Sequence, residues 1–186
     1  MINIPFHLWR ARAVYERGGI IAYPTEGVWG LGCDPFNQKA VERLLRLKSR
    51  PWQKGLILAV AATSKALPWL KGITDAQREQ VLASWPGPTT WLLPHLNHWP
   101  TWVCGESSAI AMRVSAYEPV AKLAAAVGGF IISTSANPAG LAPAMSAREV
   151  RHYFGHQVDL VMPGTVQGLN KPSAIKDALT GDIARA

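Results

Sequence analysis

Apolar residues along this chain follow two rhythms, helical spacing and short unbroken runs, and the two alternate. Phe6, Trp9 and Ala13 with their neighbours predict an amphipathic helix that Gly18-Gly19 stops. Ile20 to Tyr23 reads as a buried strand broken by Pro24. From Tyr23 to Gly32, three glycines interleave with apolar residues, the mark of a backbone folded close to another strand or to a ligand. Gln38 to Leu47 is the next helix, capped by Asn37, with Val41, Leu44 and Leu45 on its apolar side. Pro51 ends it and pushes Arg50 into an extended conformation, and Gly55 permits a close turn into the apolar run Leu56 to Val60.

Further along, Ser64 to Leu70 predicts a short helix, and Thr74-Asp75-Ala76-Gln77 matches a capping box opening a helix to about Ser84. Pro86-Gly87-Pro88 is a rigid break before a strand over Thr89 to Leu93. His95 to Ser107 lacks periodicity and reads as a loop. Ala109 to Val114 reads as a buried strand, Val120 to Val127 as a helix, and Phe130 to Ile132 as a strand running into Ser133-Thr134-Ser135-Ala136-Asn137-Pro138. Ser146-Ala147-Arg148-Glu149 is a second capping-box match, opening a helix to about Phe154. Val158 to Met162 and Ser173 to Ala178 are the last strand candidates. Alternation throughout predicts an α/β fold with a mixed sheet.

At 186 residues, without repeat or linker, the expectation is one domain over residues 1–186. Cys33 and Cys104 make neither a disulfide framework nor a metal-ligand spacing. Arg10, Arg12, Glu16 and Arg17 interrupt the first apolar stretch, and no run reaches the roughly 18 apolar residues of a membrane span. The expectation is therefore a cytoplasmic protein with no membrane partner. The formal charge of +7 favours anionic partners: a nucleotide, a phosphorylated metabolite or RNA. Eight tryptophans can stack bases, but aromatics also supply core packing.

Walker loop, Rossmann fingerprint and nucleophile elbow are all missing, and the five histidines show no zinc-protease spacing. His152 and His156, four apart, lack an acidic third ligand nearby. What remains is a set of cations and hydroxyls on loops beside strands. Thr25 follows the first strand, and Lys48, Arg50 and Lys54 precede the second. Arg113 lies inside an apolar strand and so calls for a carboxylate, internal or from a ligand. Ser133, Ser135 and Asn137 follow the Phe130 strand. Each has a plainer reading, since cations favour helix C-termini and short polar side chains close turns. Taken together, the set suits a phosphate-rich ligand.

Four motifs in order are more specific: Tyr23-Pro24-Thr25-Glu26, Lys48-x-Arg50-Pro51-x-x-Lys54-Gly55-Leu56, Ala111-Met112-Arg113-Val114 and Ser133-Thr134-Ser135-Ala136-Asn137. With them the chain resembles the YrdC/TsaC family of threonylcarbamoyl-AMP synthases, in its short form, from about Phe6 to Arg185. The resemblance implies a twisted α/β sheet around a basic concave cleft. It implies a reaction of L-threonine, bicarbonate and ATP, with Mg²⁺ accompanying ATP and no dedicated protein metal site. The product is threonylcarbamoyl-AMP, destined for adenosine 37 of tRNAs reading codons that begin with A. By the same resemblance Lys48, Arg50, Lys54, Ser135 and Asn137 contact the ATP phosphates, with Arg185 near the nucleotide. Lys48, Arg50, Ser135 and Asn137 would carry the catalysis. Arg113 would grip the threonine carboxylate, with Thr25, Ser133 and Ser173 completing that pocket. Gly27, Trp29, Ala59 and Pro143 depart from residues common in relatives, so no contacts are carried to them. Downstream threonylcarbamoyl-transfer proteins are implied partners.

Two other readings share these features. An RNA-binding module for tRNA or structured rRNA needs the basic surface but no threonine pocket, and its binding would weaken steeply with salt. A carbamoyl-transfer module of a hydrogenase-maturation system shares the fold, but no zinc-finger spacing accompanies this chain.

Overall fold

The computed structural model describes residues 4–168 and 174–185. In chain order, α1 (Phe6–Glu16), β1 (Ile21–Pro24), β2 (Trp29–Gly32) and α2 (Gln38–Lys48) lead through a 3-10 turn at Trp52–Lys54 into β3 (Ile57–Val60). Then come α3 (Thr63–Ala66), a 3-10 turn at Leu67–Gly72, α4 (Asp75–Ser84), β4 (Thr89–Pro94), α5 (Thr101–Cys104) and β5 (Ala109–Val114). The rest is α6 (Glu118–Ala126), β6 (Phe130–Ser135), α7 (Ala147–Phe154), a 3-10 turn at Gly155–Gln157, β7 (Leu160–Val161), β8 (Ala174–Asp177) and β9 (Ile183–Arg185). The strands form one mixed sheet in the order β7-β1-β2-β6-β3-β5-β4-β8-β9. Three neighbouring pairs are parallel, β1 with β7, β3 with β5 and β4 with β8. The expected α/β class holds. Among the described residues, no helix is long and apolar enough to cross a membrane.

Residues paired across a ladder share a face, and faces alternate along each strand. On one face Ala22, Leu31, Ile132, Leu58, Val60, Met112, Ile110 and Leu93 pack with Val41 and Leu44 of α2, Val81 of α4 and Val150 of α7. On the other face Ile21, Tyr23, Ile131 and Ala59 pack under Leu8, Ala11 and Val14 of α1 and Val120, Leu123 and Ala124 of α6. That second cover stops partway. Further along the same face Ser133, Ser135, Ile57, Ala111 and Arg113 remain half-buried. The uncovered half is where a ligand can lie.

Several sequence expectations are corrected. The buried stripe of α1 is Leu8, Ala11, Val14 and Tyr15, whereas Phe6 and Trp9 are 71% and 58% exposed. The glycine-interleaved stretch contains a strand, β2, paired with β1 and β6. A Cβ on Gly32 would stand 2.1 Å from Ile132 O, so the close neighbour is a strand, not a ligand. The stretch read as a loop over His95 to Ser107 holds the short helix α5, and β9 was not anticipated. Thr74 and Gln77 form a complete capping box. Ser146 forms half of one, because Glu149 Oε2 accepts from Met145 N instead of Ser146 N. His156 lies past the end of α7, so it does not share a helix face with His152. Trp29, Trp85, Trp91 and Trp99 are core residues, while Trp9 and Trp52 are exposed.

Candidate active site

Two groups of side chains gather at β6, one beside Ser133 and the other around Ser135 and the loop that follows it. The first is built on β1, β5 and β6. The turn after β1 is closed by Thr25, whose backbone N–H and hydroxyl both donate to Val28 O at 3.0 and 2.7 Å. This brings Glu26, 6% exposed, against β5. There its carboxylate pairs with the Arg113 guanidinium and accepts the Ser115 hydroxyl at 2.6 Å. One carboxylate facing Arg113 is thus internal, supplied by Glu26 to Nη2 of the guanidinium. Tyr23, fully buried on the same side, donates its hydroxyl to Ile132 O at 3.1 Å. Burial pushes its phenol well above the usual range, and the Ser133 hydroxyl and Arg113 charge beside it only partly offset that. Arg113, Glu26, Ser133 and Tyr23 therefore form one polar cluster, with Thr25 bracing the turn that supplies Glu26.

The second group surrounds the end of α2. Asn37 caps that helix by accepting from Ala40 N at 3.1 Å. Its C-terminus is closed by Ser49 in the left-handed conformation at φ 49°. Lys48, 5% exposed, points back over the loop after β6, where its ammonium meets Ser135 O at 2.5 Å and Asn137 O at 2.8 Å. Burial lowers its pKa to about 8, with the charge of Arg50 adding to the effect. Ser135 Oγ donates to Asn137 Oδ1 at 2.6 Å, and Asn137 Nδ2 donates to Leu141 O at 2.7 Å. Arg50 bends over its own turn and donates to Gly55 O at 2.9 Å and Lys54 O at 3.3 Å. Gly55 takes φ +59°, and a Cβ there would lie 2.7 Å from Cys104 O, so this turn requires glycine. Arg50 also lines a groove of about 640 Å³ with Arg46, Trp52 and Trp102 on the helix side of the turn. Lys54 is exposed at the turn's tip.

Of the residues picked from sequence, Lys48, Ser135 and Asn137 come together, with the charge of Arg50 felt at Lys48 but its hydrogen bonds made to its own turn. Arg113 and Ser133 both lie beside Tyr23, with Thr25 in the turn that supplies Glu26. The β6 register joins the groups, since Ser135 lies opposite Gly30 and Ser133 opposite Ile57. Ser173 lies outside the described residues. The backbone of Arg185 pairs with Ile175 at the far edge of the sheet. Glu26, Ser115 and Tyr23 were missed as site residues. For Glu26 the signal was present: a carboxylate beside a predicted strand end, and an arginine in another strand needing a partner. Among the described residues, no three His, Cys, Asp or Glu side chains are grouped to hold a metal ion.

Comparison with known proteins places the chain in a family. A family model described as telomere recombination, the Sua5/YciO/YrdC model, matches residues 13–186. The chain is 46% identical to the threonylcarbamoyl-AMP synthase of Halorhodospira halophila over 97% of its own length and 95% of that protein's. It is 49% identical to the threonylcarbamoyl-AMP synthase of Hahella chejuensis, covering 95% of this chain and 96% of the relative. Among solved structures it superposes on P. abyssi Sua5 complexed with L-threonine with a TM-score of 0.83 at 28% identity. That match covers 91% of this chain but 51% of the longer Sua5 chain. A family model matched over nearly all of its length, and relatives this close across theirs, establish that the chain belongs to the Sua5/YciO/YrdC family.

Proposed function

We propose that this chain joins L-threonine, bicarbonate and ATP into threonylcarbamoyl-AMP and releases pyrophosphate. The reading is supported by two chemically distinct groups gathered at successive points of β6, one beside Ser133 and one around Ser135, whose side chains share the uncovered face of the strand. An arginine with hydroxyls at one end suits an amino-acid carboxylate. Cations around a polar loop at the other suit a triphosphate. The named relatives and the threonine complex of Sua5 support the same substrates.

The chemistry explains why no nucleophilic side chain is needed. The neutral threonine amine adds to the carbon of bicarbonate, and one N–H proton leaves with that carbon's hydroxyl as water, to give a carbamate. A carbamate oxygen attacks the α-phosphorus, and the bond to the bridging oxygen breaks with its electron pair leaving on pyrophosphate. Developing charge on the phosphates is offset by fixed cations and by the Mg²⁺ that enters with ATP as part of that substrate. Holding both reactants in line can supply roughly 7–11 kcal/mol, enough to dispense with a covalent enzyme intermediate. In this reading Arg113 binds the threonine carboxylate, with Ser133 beside it, and Arg50 and Lys54 attract the triphosphate. The product would pass in the cytoplasm to proteins that transfer the threonylcarbamoyl group to tRNA.

The test is pyrophosphate release with each substrate omitted in turn. Release should require all three. Arg113→Lys keeps the charge but loses the planar fork, so KM for threonine should rise at least about tenfold with little change for ATP. Release without threonine, or an equal effect on both substrates, would refute the assignment.

A further inference from the structure

An ammonium group has three N–H donors and no acceptor. For Lys48 three oxygens of a single loop stand in range: Ser135 O at 2.5 Å, Asn137 O at 2.8 Å and Asn137 Oδ1 at 3.4 Å. The backbone answers from the other side, where Ala139 N–H donates to Lys48 O at 2.9 Å. The loop is tied internally as well, Ser135 Oγ to Asn137 Oδ1 and Asn137 Nδ2 to Leu141 O. Asn137 Oδ1 accepts both Lys48 and Ser135, so the serine proton is directed into the loop. Its lone pairs are then the atoms left to meet a ligand.

We propose that Lys48 is a positioning residue: it fastens the Ser135–Asn137 loop to the end of α2 and does not itself ligate phosphate. This rests on the function proposed above, and it replaces the catalytic phosphate contact that sequence motifs suggest for Lys48. Neutralising the departing pyrophosphate falls instead to other cations, such as the exposed Lys54. The electrostatics agree. A lysine presented to a triphosphate gains from staying charged, whereas this one is buried and titrates near pH 8. The loop facing it offers only neutral acceptors, and Arg50 is the charged neighbour that lowers it further.

The decisive experiment uses the full chain, wild type and Lys48→Met. Binding of ATP and of AMP is measured by calorimetry, and amide exchange is followed across residues 135–141 with β3 as internal control. A positioning role predicts ATP and AMP weakened by similar factors, differing less than tenfold, together with faster exchange in the loop and unchanged exchange in β3. An ATP loss at least tenfold greater than the AMP loss, or unchanged loop exchange, overturns the proposal. Should Lys48→Met fail to fold, the ε-carbon of Lys48 is titrated by NMR in wild-type protein with and without ATP. A midpoint that moves by less than one pH unit supports positioning, and an upward move of one unit or more shows direct phosphate contact. Exchange needs no turnover, so a wild-type chain that binds nucleotide but releases no pyrophosphate would count against the function and leave this proposal decided.

Discussion

Removing the Glu26 carboxylate should be among the more damaging single changes in the chain. Its side chain is 8% exposed and that of Arg113 15%, so water and salt screen the pair weakly. In Glu26→Ala the guanidinium stays desolvated with no counter-charge, and the Ser115 hydroxyl loses its 2.6 Å acceptor. Breaking a buried pair from one side costs about 3–5 kcal/mol. For a chain of this size, 1 kcal/mol corresponds to about 2–4 °C, so Tm should fall by roughly 6–20 °C. Glu26→Gln keeps the shape and an acceptor oxygen and should fall less. A thermal melt of Glu26→Ala, Arg113→Ala and the double variant checks the coupling. The double variant should be far less destabilised than the sum, because neither charge is then buried alone. Threonine adds a second readout: its carboxylate should stabilise Glu26→Ala more than wild type and leave Arg113→Ala unmoved. A drop under about 2 °C for Glu26→Ala, or effects additive within about 0.5 kcal/mol, would refute the reasoning.

Two further outcomes are expected. Gly32→Ala places a methyl 2.1 Å from Ile132 O and 2.9 Å from Ile131 Cγ1, so β2 must part from β6. Overpacking of this kind costs about 1–3 kcal/mol or more, read from the urea midpoint, and a shift under about 0.5 kcal/mol would contradict the close approach. Cys33 and Cys104 are both buried, and burial raises both thiols, Cys104 to about 11 and Cys33 further, with Asp34 adding to the latter. Because the thiolate is the reactive form, a thiol reagent at pH 8 should label neither cysteine in folded protein and both in denaturant. Rapid native labelling of Cys33 would show that its strand end opens.

How far the sequence was legible depended on whether a signal was local. The α/β alternation, the Asn37 cap, the Thr74 capping box and the buried positions of α2 rest on neighbours in the chain, and all are found. The α1 face failed because two apolar stripes compete there. Phe6-Trp9-Ala13 and Leu8-Ala11-Val14 are equally regular, and packing against α6 decides between them. β2 escaped because its glycines lower strand propensity, and its pairing partner lies on distant β6. In Ala109 to Val114 the structure reveals what was read as uniform burial to be strict alternation. Small residues and Arg113 share one face, and Ile110, Met112 and Val114 the other. The convergence of Lys48 on Asn137 and of Glu26 on Arg113 spans nearly half the chain each. No local pattern encodes either contact, and the motif order alone hinted that these residues belong together.

That convergence also explains why the proposed site is built on a strand. Ser133 and Ser135 point to the same face of β6, two residues and therefore about 6.6 Å apart. The first lies beside Tyr23 and Arg113, and the second is held by the loop that Lys48 fastens. A threonine carbamate has to reach from its carboxylate, gripped at one end, to the α-phosphorus at the other, a span of a few covalent bonds. A misplacement of about 1 Å can cost roughly a hundredfold in rate, so the separation of the two ends matters more than the strength of either. A loop would let that distance drift. Here β6 is clamped between β2 and β3, and its hydrogen-bond registers fix where each serine stands. In the proposed reaction the sheet itself sets the distance, while the ion pair and the lysine hold each end in place. Catalysis without a nucleophile follows from that rigidity, since alignment is the contribution that the chemistry leaves for the protein to make.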